Sequence, residues 1–218
     1  MSLQRFLLIA DFQTFLFAIG AILSFIKPRA RQYYIILLGF TLITSVAGDF
    51  SSVLLKTLKL NVNYAPTLYC IAVFPIISGI YYNALGRQHK KIFIWASILF
   101  VLFAIRNMLF VQQTAINSYT LILESIVVII YSLYYFYWLL KELPTAQLQR
   151  LPMFWINSAY IIYFSGNLFL FVFTSYLVNV LNNNLLVYWT LHNVLGIIEG
   201  LMIIVALWMD LRNIKSPS

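Results

Sequence analysis

Seven apolar runs, each long enough to cross a bilayer, divide this chain and leave little room for any architecture other than a bundle of membrane helices. They fall at about 5–26, 33–55, 64–85, 92–112, 118–140, 152–178 and 184–209, and about 20 helical residues traverse the hydrocarbon core. The connections are short, so 1–218 reads as a single seven-helix transmembrane domain with no extramembrane unit. With 62% of residues hydrophobic and only 9% charged, an ordinary soluble domain is excluded. The single cysteine, Cys70, lies inside an apolar run, so neither a disulfide framework nor a cysteine metal cluster is expected. The first run is not read as a secretory signal. It is too long, is interrupted by Asp11, and ends in Lys27-Pro28-Arg29 without a small-residue cleavage site.

The net charge of +8 does not point to nucleic acid, because the basic residues sit in short clusters between apolar runs. They act as topology signals instead. Lys27, Arg29, Arg31, Arg87, Lys90, Lys91, Lys141, Arg150, Arg212 and Lys215 fall on one side, and only Arg5, Lys56 and Lys59 on the other. This bias predicts an extracytoplasmic N-terminus and a cytoplasmic C-terminus, with the chain as a multi-pass protein of the inner membrane. Trp95, Trp138, Trp155 and Trp208 fall near the expected inner boundary and Trp189 near the outer one, as an aromatic belt requires.

The stretch 151–178, LPMFWINSAYIIYFSGNLFLFVFTSYLV, is apolar yet carries two amides. Asn157, Tyr160, Phe164 and Asn167 follow i, i+3, i+7, i+10 spacing and form one helical stripe. An unpaired amide in hydrocarbon costs several kcal/mol, so this stripe is expected to face protein or a wet cavity. In the second run, Thr41, Ser45, Gly48 and Ser52 make a small polar stripe suited to close helix packing. Pro75 in the third run removes a helical hydrogen bond and is read as a packing kink. The aromatic stretch YSLYYFYW in the fifth run is read as interfacial and packing surface.

Six acidic residues are present, and four of them, Asp11, Asp49, Glu124 and Glu199, fall within the runs. Intramembrane carboxylates are costly enough to count as functional candidates, although protonated acids can also lock helices together. Arg106, the only Lys or Arg inside a run, either snorkels to the outer headgroups or pairs with a buried acid. By depth, Asp11, Asp49, Arg106, Glu124 and His192 belong to the outer half, and Asn167 and Glu199 lie nearer the middle. They are expected to converge on one outward-facing pocket. Its excess of carboxylates over arginine is to be relieved by protonation or by a cation, which favours a cationic or proton-linked ligand. The candidate ligand-binding residues are Asp11, Asp49, Arg106, Asn107, Glu124, Asn157, Tyr160, Asn167, His192, Asn193 and Glu199. No catalytic residue, metal or cofactor is assigned. His192 and Glu199 share a face of the last run, but a lone His without HExxH or paired-His spacing is read as a hydrogen-bonded core residue. Serine-hydrolase, P-loop and Rossmann signatures are absent from the sequence.

Short matches suggest an internal repeat. Leu8-Ile9-Ala10-Asp11 resembles Leu121-Ile122-Leu123-Glu124, Gly48-Asp49-Phe50 resembles Gly166-Asn167-Leu168, and Thr67-Leu68 recurs as Thr190-Leu191. Helices 1–3 and 5–7 would then be parallel repeats joined by helix 4, with the acids of helices 1 and 5, Asp11 and Glu124, facing each other across a pseudo-two-fold axis along the membrane normal. This 3+1+3 arrangement resembles the PQ-loop sugar and amino-acid transporters, the KDEL-receptor fold and the PnuC vitamin transporters. The Pro-Gln dipeptide of PQ-loop proteins does not occur here. A microbial rhodopsin has the same topology but needs a lysine in the membrane part of its last helix, and none is present.

The stretches INSYTLILESIVVIIYSLYYFYWLL, PMFWINSAYIIYFSGNLFLF and YWTLHNVLGIIEG resemble uncharacterised bacterial seven-helix membrane proteins that accompany histidine kinases. That resemblance implies a sensor whose output passes through a partner such as a histidine kinase. The leading expectation is thus a ligand-sensing protein embedded in the lipid bilayer, with a small unidentified ligand. A small-solute transporter is the first alternative, and a membrane-embedded hydrolase of the lysoplasmalogenase kind the second.

Overall fold

The computed structural model describes residues 3–26, 32–58, 64–87, 90–111, 118–143, 147–173 and 185–215, with side chains described for all of these except 3, 49–56, 185–186 and 214–215. Seven long helices account for nearly all of it: α1 (Leu3–Ser24), α2 (Tyr33–Thr57), α3 (Ala65–Ala84), α4 (Lys90–Arg106), α5 (Ser118–Glu142), α6 (Pro152–Val172) and α7 (Leu185–Lys215). No strand occurs among the described residues. Six of these helices are long and apolar enough to cross a membrane, and α2 has a shorter apolar stretch, Tyr33–Gly48.

Helix ends follow local chemistry. α3 and α6 each begin with a proline in the first turn, where its missing N–H costs nothing. Leu151, before Pro152, takes the extended conformation that a following proline imposes. α3 stops at Leu85-Gly86, where Gly86 turns to φ 67° and the Arg87 N–H caps the Tyr82 carbonyl at 2.9 Å. α4 finishes in a π-helical turn, Asn107–Val111. The sixth helix ends at Val172, short of the expected 178, while the last runs on to Lys215, past the expected 209. It therefore takes in Asp210, which is buried.

Side-chain pairs give the relative directions. Gly20 meets Leu42 and Gly39 meets Ser24, so α1 and α2 are antiparallel; Gly48 meets Tyr69 and Gly79 meets Leu37, so α2 and α3 are as well. Gly166 against Leu195 and Asn167 against His192 make α6 and α7 antiparallel. On α7, Gly196 and Gly200 meet Gln13 and Phe17 of α1, a constant offset that makes these two helices parallel. The packing order is a ring of α1, α2, α3, α5, α6 and α7 that closes on α1, with α4 outside against α3 and α5. One stacked pair, Phe74 and Phe100 with centroids 4.0 Å apart, anchors α4 to α3.

The ring buries a core that runs through Ile35, Leu38, Phe74, Tyr81, Ile156 and Ile203. Outward faces are also apolar, with Leu8, Ile22, Leu99, Phe110 and Leu140 exposed, which suits a surface that meets lipid. The amide stripe of α6 lies inside, as expected: Asn157, Tyr160, Phe164 and Asn167 are all buried. Gly166 lets α7 approach closely, since a Cβ there would stand 2.7 Å from Leu195 Cδ1.

Candidate functional site

The ring encloses a cavity of about 190 Å³. Its wall is built from Gln13 and Phe17 on α1, Thr41, Ser45 and Gly48 on α2, Tyr69, Val73 and Ile77 on α3, and Glu124 on α5. Tyr160, Tyr163, Phe164 and Phe171 on α6, with Trp189, His192, Glu199 and Ile203 on α7, complete it. Ala65 and Pro66, in the first turn of α3, and Leu121, in the first turn of α5, also line it. The cavity therefore occupies the half of the bundle where α3, α5 and α7 begin, and its floor lies near Ile77, Tyr160 and Ile203.

Below that floor the helices are locked. The Tyr81 hydroxyl donates to Asn157 Oδ1 at 2.8 Å and lies 2.7 Å from Ser132 Oγ, while Asn157 Nδ2 donates to the Ser132 carbonyl at 3.2 Å. Since the single Tyr81 proton goes to Asn157, Ser132 donates to Tyr81. These bonds tie α3, α5 and α6 together around fully buried side chains.

Within the cavity some polar groups are paired and some are not. Ser45 Oγ donates to the Thr41 carbonyl at 3.0 Å and accepts from the Tyr69 hydroxyl at 2.9 Å. His192 Nδ1 lies 2.7 Å from Asn167 Oδ1. By contrast, Glu124 Oε1 and the Tyr160 hydroxyl have no hydrogen-bond partner among the described residues, although the two residues are only 4% and 2% exposed. Glu199 is buried too, and Glu124 is near enough to act on it electrostatically. Fully buried Cys70 is a neighbour of Glu124. No lysine or arginine is among the described lining residues.

The structure brings together four of the expected residues, Glu124, Tyr160, His192 and Glu199, and sets Asn167 behind His192. Others lie elsewhere, for identifiable reasons. Asp11 is exposed, because the inward face of α1 is Gln13, Leu16, Phe17, Gly20, Ala21 and Ser24, and Asp11 is about 200° round the helix from Gln13. Arg106 is exposed on α4, outside the ring, so it is no counter-charge for the cavity acids. Asn107 is buried but donates to Thr120 Oγ1 at 3.0 Å, joining α4 to α5. Asn157 belongs to the lock, is 0% exposed and does not line the cavity. Asn193 is half-buried, one position round from His192, and does not line the cavity. The Asp49 side chain lies outside the described residues, although its neighbour Gly48 lines the wall.

The sequence reading also missed wall residues. Gln13 went unnoticed beside the more conspicuous Asp11, though it shares a face with Gly20 at i, i+7. Thr41, Ser45 and Gly48 form the stripe assigned to helix packing; they line the cavity, and Tyr69 lies across Gly48, where a Cβ would be 3.0 Å from its ring. Trp189 faces the cavity, edge-on to His192 with centroids 5.5 Å apart, and so is not a simple belt residue. Comparison with protein-family models, with curated proteins and with solved structures finds no match to this chain, so the meaning of the site rests on its own residues.

Proposed function

We propose that the chain is a multi-pass inner-membrane protein with seven spans that binds a small cationic or proton-linked ligand in this cavity and passes its occupancy to a partner protein such as a histidine kinase. The observation that carries the reading is the pair of buried glutamates in a wall whose described residues include no lysine or arginine. Two carboxyls in such surroundings are relieved by a proton or by a ligand of positive charge. The charge bias supports an outward-facing cavity: the end of the bundle that holds it is the end with few basic residues.

A small-solute transporter of 3+1+3 architecture is the second reading. The packing order favours it, because a ring of α1, α2, α3, α5, α6 and α7 sets each helix of one triple opposite its counterpart in the other. Two observations weigh against it. The Tyr81–Ser132–Asn157 lock fills the half below the cavity, and Asp11, the repeat partner of Glu124, is exposed.

One experiment tests orientation and charge together. In a Cys70→Ala background, Ser45→Cys places a thiol on the cavity wall, and intact cells are treated with membrane-impermeant methanethiosulfonates of opposite charge. The cationic reagent is expected to label from outside faster than the anionic one. Faster labelling by the anionic reagent rules out an acidic cavity, and labelling only in inverted vesicles rules out an outward one.

A further inference from the structure

Three features of the cavity, its charge, its two oxygens without a partner among the described residues and its size, narrow the ligand beyond "cationic". Glu124 Oε1 needs a donor, and the Tyr160 oxygen can accept a second. An ammonium group carries up to three N–H donors, no acceptor and the charge that the two glutamates lack. A bare metal ion fits less well. Such ions take cages of oxygen ligands, whereas much of this wall is aromatic, and no group of three His, Cys, Asp or Glu suited to a metal occurs among the described residues.

Tyr69, Tyr163, Phe164, Phe171 and Trp189 line the same cavity as the acids. Aromatic walls attract an organic cation through their ring faces and bury its apolar part. The volume sets the length. A dry cavity of about 150 Å³ takes up benzene, so one of about 190 Å³ holds a single ring and a short tether.

Resting on the acidic-cavity reading, we propose that the ligand is an arylalkyl amine, a protonated amine joined by a short chain to one aromatic ring, with the ammonium at Glu124 and Glu199 and the ring among the aromatic side chains.

The test uses the full chain purified in detergent and follows thermal unfolding and calorimetric binding with four compounds. These are 2-phenylethylammonium, its neutral counterpart 2-phenylethanol, the anion 3-phenylpropionate, and methylammonium, which has the charge without the ring. 2-Phenylethylammonium is expected to raise Tm in a saturable, concentration-dependent way, as a ligand of the folded state does. Glu124→Gln is expected to weaken its binding roughly 10- to 100-fold, the loss of a charge-assisted hydrogen bond. Val73→Trp, which fills the cavity from α3, is expected to abolish it, and serves alone if Glu124→Gln does not fold. Methylammonium binding as tightly as 2-phenylethylammonium, with the same dependence on Glu124, overturns the ring and leaves the acidic cavity standing. Equal binding of 2-phenylethanol or 3-phenylpropionate overturns both the amine and the acidic-cavity reading. Binding of 2-phenylethylammonium that survives Val73→Trp, or no binding of it at all, overturns the proposal.

Discussion

His192 Nδ1 lies 2.7 Å from Asn167 Oδ1 and joins α7 to α6 at the cavity wall. The Asn167 amide nitrogen donates to the Tyr163 carbonyl at 3.0 Å, which fixes the orientation of the amide and turns its oxygen, an acceptor only, to the ring. The imidazole nitrogen must therefore donate. That fixes the neutral ring as the Nδ1–H tautomer and leaves Nε2 an acceptor. One amide thus sets the hydrogen-bonding sense of the one histidine among the described lining residues.

The lock below the cavity predicts a stability effect separate from binding. Asn157→Leu removes the acceptor of the Tyr81 hydroxyl and the donor to the Ser132 carbonyl, both buried. A loss of about 1–3 kcal/mol is expected, read as a lower Tm of the purified protein. Adding Tyr81→Phe removes the stranded hydroxyl, so the double variant should lose less than the sum of the singles. Strict additivity would show that the two side chains are not coupled.

Two polar residues of α1, Gln13 and Asp11, should behave oppositely. Gln13 lines the cavity and lies across Gly196 of α7, where a Cβ would collide with the Gln13 amide. Gly196→Ala is therefore expected to swing the Gln13 amide aside at little cost, because the flexible end of a side chain moves and alanine is the better helix former. Ligand-induced stabilisation should fall. Asp11→Asn, on the exposed face, is expected to change neither Tm nor ligand response. A response lost with Asp11→Asn and kept with Gly196→Ala would reverse the assignment of the α1 face.

These contrasts show where the sequence is informative. The α6 stripe was legible because two amides in an apolar run have one low-energy solution, and their spacing shares a face with Tyr160 and Phe164. Glu124 and Glu199 were found by cost alone. The same argument failed for Asp11, because it says a carboxyl is expensive without saying which way it points; the i, i+7 relation of Gln13 to Gly20 carried that information. Arg106 and Asn107 were misplaced because spans can be read from one sequence but their order around the ring cannot, and α4 packs outside it. Tyr69 and Tyr163 gave no signal among 15 tyrosines.

Asn167 is the residue at which binding and signalling should separate. Its partner His192 sits among Tyr163, Phe171 and Trp189, with ring centroids 5.8, 6.2 and 5.5 Å away. A ligand among these rings would bear on His192, and the bond to Asn167 would pass that displacement to α6. Asn167→Leu keeps roughly the volume and deletes the bond, so the protein is expected to insert and fold with a loss of about 1–3 kcal/mol. The response should vanish while binding persists, because Glu124 and Glu199 are untouched. Trp189 fluorescence reads this directly: 2-phenylethylammonium should change it in the parent, and much less in Asn167→Leu, with calorimetry showing the compound still bound. Trp189→Phe identifies the signal's source against the other tryptophans. Coupling requires two arrangements of the α6–α7 contact, so an Asn167→Leu variant with full fluorescence amplitude would reduce α6 to scaffold.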